Sequence, residues 1–335
     1  MQKPQISVII TAYGRKMFLK DALISVASQD IDRDKFEIFV VKNFNDAELD
    51  ELCIKTGAEI INSEESNVTL FRYAAVDRCR GEILCFLDDD DRWEKRKLEH
   101  VLEVFGMYPR LGFYRNSIKF INHDGRVIEN PYRYRPVQFN EHGHTLYVDS
   151  SRMERFASHA VNRRYDFNCS SISIRKEILL RFRNFAPGII SSFDSFMFYC
   201  TAISGYSFLA DDSELTHYRI NGGSISFSPT LSFSGRQTVT YRTLLAMADF
   251  YGKRNLIKML ERQLAFFMLI NTIHKQEAQK REVLRLTVEF TRHMHIYKIA
   301  ENFVTAVIST MYIIHPSLSR SLYEKFTSVK MPILQ

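Results

Sequence analysis

The sequence has no pair of cysteines at C-x-x-C spacing; its five cysteines, at 53, 79, 85, 169 and 200, are scattered and odd in number. That speaks against a disulfide framework and fits a reducing compartment. Long hydrophobic runs are also missing, and no stretch approaches the ~18 apolar residues of a spanning helix. Met1-Gln2-Lys3-Pro4 leads straight into strand-like sequence with no secretory pattern. A cytoplasmic location is therefore expected, with peripheral docking at the cytoplasmic face of the membrane kept open. A strong charge of either sign is lacking as well. The formal net charge of +6 over 335 residues suits an anionic substrate or an anionic membrane surface and selects neither. The basic residues are spread out and the aromatics lie mostly at core periodicity, so no nucleic-acid partner is expected. No internal repeat is visible.

What is present is the tetrad Asp88-Asp89-Asp90-Asp91, directly after the apolar run Ile83-Leu84-Cys85-Phe86-Leu87. Four adjacent acids at the end of a buried strand are costly unless a cation or a rich set of hydrogen bonds compensates them. The pattern suits a hard divalent ion beside a phosphorylated ligand. A solvated acidic turn is the plainer reading.

The hydrophobic pattern predicts strands at 6–11, 36–41, 58–61 and 82–87, with helices over 16–29, 46–56 and 68–79 between them. This βαβαβαβ order implies an α/β fold with a mostly parallel sheet and helices on both faces. Ligands of such sheets sit at the carboxyl ends of strands. The polar residues after Ile10, Val41 and Leu87 all fall at that edge, and the tetrad lies among them.

Beyond about residue 109 the pattern changes. Residues 112–128 read as strands or a hairpin turning at His123-Asp124-Gly125. Segment 131–165 is rich in Arg, Tyr and His and reads as a substrate-facing region. A strand is expected at 167–174, helices from Arg175 to Phe182 and over 192–204, and a short strand at 206–210. From about 234 the chain reads as helices near 234–250, 253–275, 277–292 and 296–312. These present packing surfaces, with peripheral membrane association or a homo-oligomer contact as the other readings.

Five ordered segments carry a resemblance. They are Ser7-Val8-Ile9-Ile10-Thr11-Ala12-Tyr13, Ala75 through Gly81, Phe86-Leu87-Asp88-Asp89-Asp90-Asp91-Arg92-Trp93, Asn168-Cys169-Ser170-Ser171, and His217-Tyr218-Arg219 through Ser226. Together they resemble the inverting, nucleotide-sugar-dependent glycosyltransferases of GT-A fold, family 2-like, over about residues 5–226. The resemblance implies a Rossmann-like catalytic domain at 1–226, with a nucleotide-binding half at about 1–110 and an acceptor-binding half at about 111–226. A helical region at 227–335 would follow. The activity implied is metal-dependent, inverting transfer of a sugar from a nucleotide-diphosphate sugar, UDP-sugar favoured by family frequency, to a hydroxyl of a glycan, lipid-linked or polymer acceptor.

By the same resemblance, Asp88 and Asp90 are the Asp-x-Asp acids. Asp90 would ligate Mg²⁺ or Mn²⁺, and Asp88 would approach the ribose or the metal's water shell. Asp89 is placed beside the donor with them. Asp91 is expected to cap a helix near Trp93, and Trp93 either covers the sugar pocket or packs. The general base would be Asp194, at a helix start where the family usually has a Glu-Asp pair; here Phe193 replaces the first acid. Asp211 and Asp212 are runner-up bases. Thr11, Ala12 and Tyr13, with Arg15, would border the nucleotide. Asn43 stands in for an acid that often reads the base, and Lys42 cannot do so. Arg72 is read as a base or phosphate contact or else as a surface helix residue, and Asp77 as lying toward the nucleotide. Arg219 is read as a phosphate or structural partner in a loop closing over the diphosphate, and Asn221 replaces a frequent His. Tyr132, Tyr134 and Tyr147 are candidates to line a glycan, and Arg133, Arg135 and Arg152 to meet a carrier phosphate. The alternatives are a catalytically weak sugar-nucleotide-binding protein and a sugar nucleotidyltransferase.

Overall fold

The structure is a computed structural model, and it describes residues 3–130, 145–160, 165–220, 231–274, 281 and 284–288. The chain divides into two compact units, Met1–Asn221 and Gly222–Gln335.

The first unit is built on one mixed sheet. Its opening strands are β1 (Ile6–Ala12), β2 (Phe36–Lys42), β3 (Ala58–Asn62) and β4 (Ile83–Asp88). They are joined by α1 (Leu19–Ala27), α2 (Ala47–Lys55) and α3 (Val68–Val76). Every residue of β1 is buried, so both faces of that strand must be covered, and helices do so. Asp46 caps α2 by accepting from the Leu49 N–H, and Asn67 caps α3 by accepting from Thr69 and Leu70. Gly81 opens β4 where a Cβ would come 2.5 Å from the Ser7 backbone nitrogen. Only a residue without a side chain lets that crossover close on β1.

The remaining elements of this unit are β5 (Arg92–Trp93), α4 (Lys97–Met107), β6 (Leu111–Ile121), β7 (Val127–Ile128), β8 (Thr145–Val148), α5 (Ser150–Ala160), β9 (Ile172–Arg175), α6 (Lys176–Arg181), α7 (Phe193–Ser204) and β10 (Ser207–Arg219). The sheet order is β3-β2-β1-β4-β9-β6-β10-β5, with β7 on β6 and β8 on β10. β1 through β4 pair in parallel, β9 runs antiparallel between β4 and β6, and β10 lies parallel to β6.

Three features differ from the sequence reading. The strand expected at 206–210 runs on to Arg219, so His217, Tyr218 and Arg219 are sheet residues rather than loop. The polar run Asp211-Asp212-Ser213-Glu214 hides this, because register shifts against β6 fall there. Segment 131–165 holds β8 and α5; α5 buries Met153 and Ala157, four residues apart on one face. The helix after the tetrad begins at Lys97, and Arg92–Trp93 form a strand instead.

In the second unit, α8 (Leu231–Phe250) and α9 (Arg254–His274) pack together, Tyr241 against Phe267 at 5.0 Å. Gly252 turns between them at φ 64°. Among the described residues no helix is long and apolar enough to cross a membrane. The helices expected over 277–292 and 296–312 lie outside the described residues, apart from 281 and 284–288.

Candidate active site

Strand register brings the site together. Ala12 pairs with Lys42, and Thr11 pairs with both Val41 and Asp88. Three strand ends thus lie side by side at one edge, where the tetrad begins.

The four acids divide by direction. Asp88 and Asp90 keep side-chain exposures of 31% and 13%, while Asp89 keeps 4% and Asp91 is buried. Asp91 does not cap a helix. Its Oδ1 accepts from the Arg219 backbone N–H at 2.9 Å and its Oδ2 from Asn168 Nδ2 at 3.1 Å. Burial first, then the charges of Asp90 and Asp88, push its carboxyl well above the usual carboxylate range. Asp89 faces Arg15 at 2.7 Å, yet burial and the adjacent Asp90 push it up to about 7. Its partner is Arg15, in an internal ion pair that Arg15 shares with the cleft residue Asp90.

Asp88 Oδ1 accepts from Arg72 Nη2 at 2.6 Å and from Thr11 Oγ1 at 3.3 Å. Asp90 is 3.0 Å from Arg15 Nη1. Arg72 is no surface residue. It is buried on α3, and its guanidinium lies 5.3 Å over the Phe193 ring. Phe193 in turn packs edge-on against Phe86 and Tyr73. The aromatic that replaces an acid at 193 therefore supports a cation.

Asp194 stands in the first turn of α7, where its Oδ1 accepts from the Ser195 backbone N–H at 2.9 Å. Burial first, then the facing Asp166 carboxylate, lift it to about 7, against the pull of Arg72. Arg72 feels both Asp88 and Asp194. The tetrad and the start of α7 thus share one buried guanidinium, which bonds Asp88 and lies over the Phe193 ring. Asp166 bears no sequence motif; its nearness to Asn168-Cys169-Ser170-Ser171 is the one signal that points to it.

Other expected residues settle as follows. Tyr13 is half exposed and meets Phe71 edge-on at 5.4 Å. Asn43 Oδ1 accepts from the Gly14 N–H at 2.6 Å, tying β2 to the loop after β1. Lys42 is buried, its amine donating to the Phe44 carbonyl and pairing with Asp50. Asp77 is not in the cleft. It ends α3 at the opposite sheet edge, where β4 begins, and pairs with Arg183. Arg219 takes the structural role, since its buried guanidinium donates to the carbonyls of Asp90, Asn122 and His123 and reaches Asp21. His217 is held between Arg92 and Glu94. Trp93 packs, its Nε1 donating to the Ser170 carbonyl at 2.8 Å. Asp211 is buried and bonded to Tyr114 and His100, which removes it as a rival base. Tyr147 stacks on Tyr108, and Arg152 is exposed on α5. Asn221, Tyr132, Arg133, Tyr134 and Arg135 lie outside the described residues.

Among the described residues no group of three or more His, Cys, Asp or Glu side chains forms a metal cluster. The fit to a hard cation rests on Asp88 and Asp90 alone, two carboxylates on the open side of the turn. Such a donor set suits Mg²⁺ or Mn²⁺ whose remaining ligands are phosphate oxygens and water.

Comparison with known proteins agrees with this fold. TuaG of Bacillus subtilis (strain 168), named for a teichuronic acid biosynthesis glycosyltransferase, is 30% identical over 133 residues, 38% of this chain and 52% of TuaG. The match thus spans about half the length of that curated relative. Crystal structures of S. aureus TarS 1-349 share the fold at low identity. The complex with UDP aligns with a TM-score of 0.55 and 15% identity, over 94% of this chain and 87% of that one. The complex with UDP-GlcNAc gives 0.53 and 14%, over 92% and 91%. The profile of "Glycosyl transferase family 2" matches residues 7–179, from β1 through the tetrad into α6, and the chain belongs to that family.

Proposed function

We propose that the chain is a metal-dependent, inverting glycosyltransferase that moves a sugar from a UDP-sugar to a hydroxyl of a glycan, lipid-linked or polymer acceptor. One observation carries the reading: the buried Arg72 guanidinium bonds the donor-side carboxylate Asp88 and lies over the ring of Phe193, the neighbour of the helix-start carboxylate Asp194. The polymer acceptor follows from what TuaG is named for.

The half-exposed Tyr13 offers a face to the base, and Thr11 and Asn43 shape the strand ends beside it. Asp88 and Asp90 would hold a divalent cation, which would offset negative charge on the leaving diphosphate. Arg15, which bridges Asp89 and Asp90, supplies a guanidinium for the diphosphate beside them. Asp194 accepts the proton of the acceptor hydroxyl as that oxygen bonds to the anomeric carbon. The bond from that carbon to the phosphate oxygen breaks, and its electron pair leaves with the nucleoside diphosphate. A base near 7 is matched to this task at neutral pH, since it is substantially ionised and still basic.

The test is a donor screen over purified nucleotide-sugars with and without Mn²⁺, followed by turnover on a polymer acceptor and assignment of the product anomer. Metal-independent transfer, or a product with the donor's anomeric configuration, rejects the respective part of the reading.

A further inference from the structure

Asp166 lies outside the family's marks, and the proposed chemistry leaves it without a role. Two residues later the backbone turns through the left-handed region at Asn168, φ 67°. Here the 165–168 turn meets the start of α7. Asp166 Oδ2 accepts from the Ser195 hydroxyl at 2.6 Å. The Ser195 backbone N–H donates to Asp194 Oδ1 at 2.9 Å. One buried serine therefore holds two carboxylates, one by its side chain and one by its main chain.

A helix start welcomes one negative group through its free N–H donors. A second one set against it costs free energy and calls for a reason. The ionisable groups facing Asp194 are Asp166 from the turn, Arg72 from α3, Asp88 from β4 and the Cys169 thiol. Among these groups of the described residues Arg72 is the positive one, and its Nη2 is committed to Asp88.

We propose that Asp166 is a positioning residue for Asp194: through Ser195 it fixes where the Asp194 carboxylate points, and it sets a second negative charge against it. The inference rests on Asp194 being the base. A like charge nearby disfavours the ionised carboxylate, so Asp194 holds a proton more tightly than an exposed aspartate does. In the reaction this strengthens its pull on the acceptor proton.

Asp166→Asn separates charge from structure, because the amide oxygen still accepts from Ser195 Oγ while the charge is gone. The full chain, labelled with ¹³C in its aspartate carboxyls, is titrated by NMR. The Asp194 signal is assigned by its loss in Asp194→Asn. The Asp194 midpoint is expected to fall by about one pH unit or more in Asp166→Asn. The acid limb of kcat/KM is expected to move down with it, while UDP affinity stays unchanged. A midpoint and limb that stay at the native positions overturn the proposal. If Asp166→Asn does not fold, Ser195→Ala carries the test, since it frees Asp166 from the serine; an unmoved midpoint there overturns it equally. Failure of the underlying reading looks different: the NMR midpoint moves in Asp166→Asn, but Asp194→Asn retains native turnover.

Discussion

Arg15 spans two neighbouring carboxylates, its Nη2 2.7 Å from Asp89 and its Nη1 3.0 Å from Asp90. This guanidinium compensates Asp89 and Asp90 as Arg72 compensates Asp88. A cation at Asp90 and a diphosphate beside it compete for both partners of that pair. Arg15→Met should therefore weaken UDP binding in the presence of Mn²⁺ by about tenfold or more, the size of one charge-assisted hydrogen bond. Calorimetric titration measures it, and native affinity in the variant removes Arg15 from the diphosphate site.

Asp90→Asn should abolish the Mn²⁺-dependent part of UDP binding, while Asp77→Asn should leave it intact. The contrast follows from their positions, one on the open side of the turn and the other paired to Arg183 at the far sheet edge. Equal losses in both variants contradict the assignment of the cleft.

Asp194→Asn should lower turnover by ~10²-fold or more with little change in donor affinity. In the native chain kcat/KM should rise with pH through about 7, because the base must be ionised to accept a proton and its carboxyl is pushed up to about 7. A rate that is flat from pH 5 to 8 argues for another base.

Stability should carry the same signature. Asp89 and Asp194 are both raised to about 7, so the folded chain holds protons that the unfolded chain releases. Their contribution is fully present below the ordinary carboxylate range near 4 and is lost as pH rises through about 7. Urea midpoints of the metal-free chain should fall over that window, and Asp194→Asn should flatten the fall. Glu37, lowered by its bonds from Ser7, Arg80 and Gly81, works in the opposite sense at lower pH. An Asp194→Asn slope equal to the native one places the titration elsewhere.

Gly81→Ala should destabilise the first unit by several kcal/mol or prevent folding, since its Cβ meets backbone rather than a movable side chain. Thermal unfolding decides; a loss under about 1 kcal/mol means that the crossover yields.

The first four strands and their helices were legible because buried parallel strands read as unbroken apolar runs and the helices between them keep one apolar stripe. The tetrad was legible as a site, but the direction of each acid was not. That direction is set by partners far along the chain, Arg219 and Asn168 for Asp91, and Arg15 for Asp89 and Asp90. β10 was cut short because a strand that crosses a register shift carries a polar run in its middle. Asp166 was missed because a carboxylate that works through a serine 29 positions away leaves no periodic trace. Arg72 was visible as a candidate, whereas its burial beneath Phe193 depends on two helices meeting.

The placement of β9 has a consequence for synthesis on the ribosome. β4 emerges flanked by β1 alone, and its other neighbour, residues 172–175, follows more than eighty residues later. Until then Ile83, Leu84 and Cys85 present an open, water-averse edge to any other nascent chain. Fragments ending before residue 172 should self-associate through that edge, and a chaperone that shields it would act during elongation rather than after release.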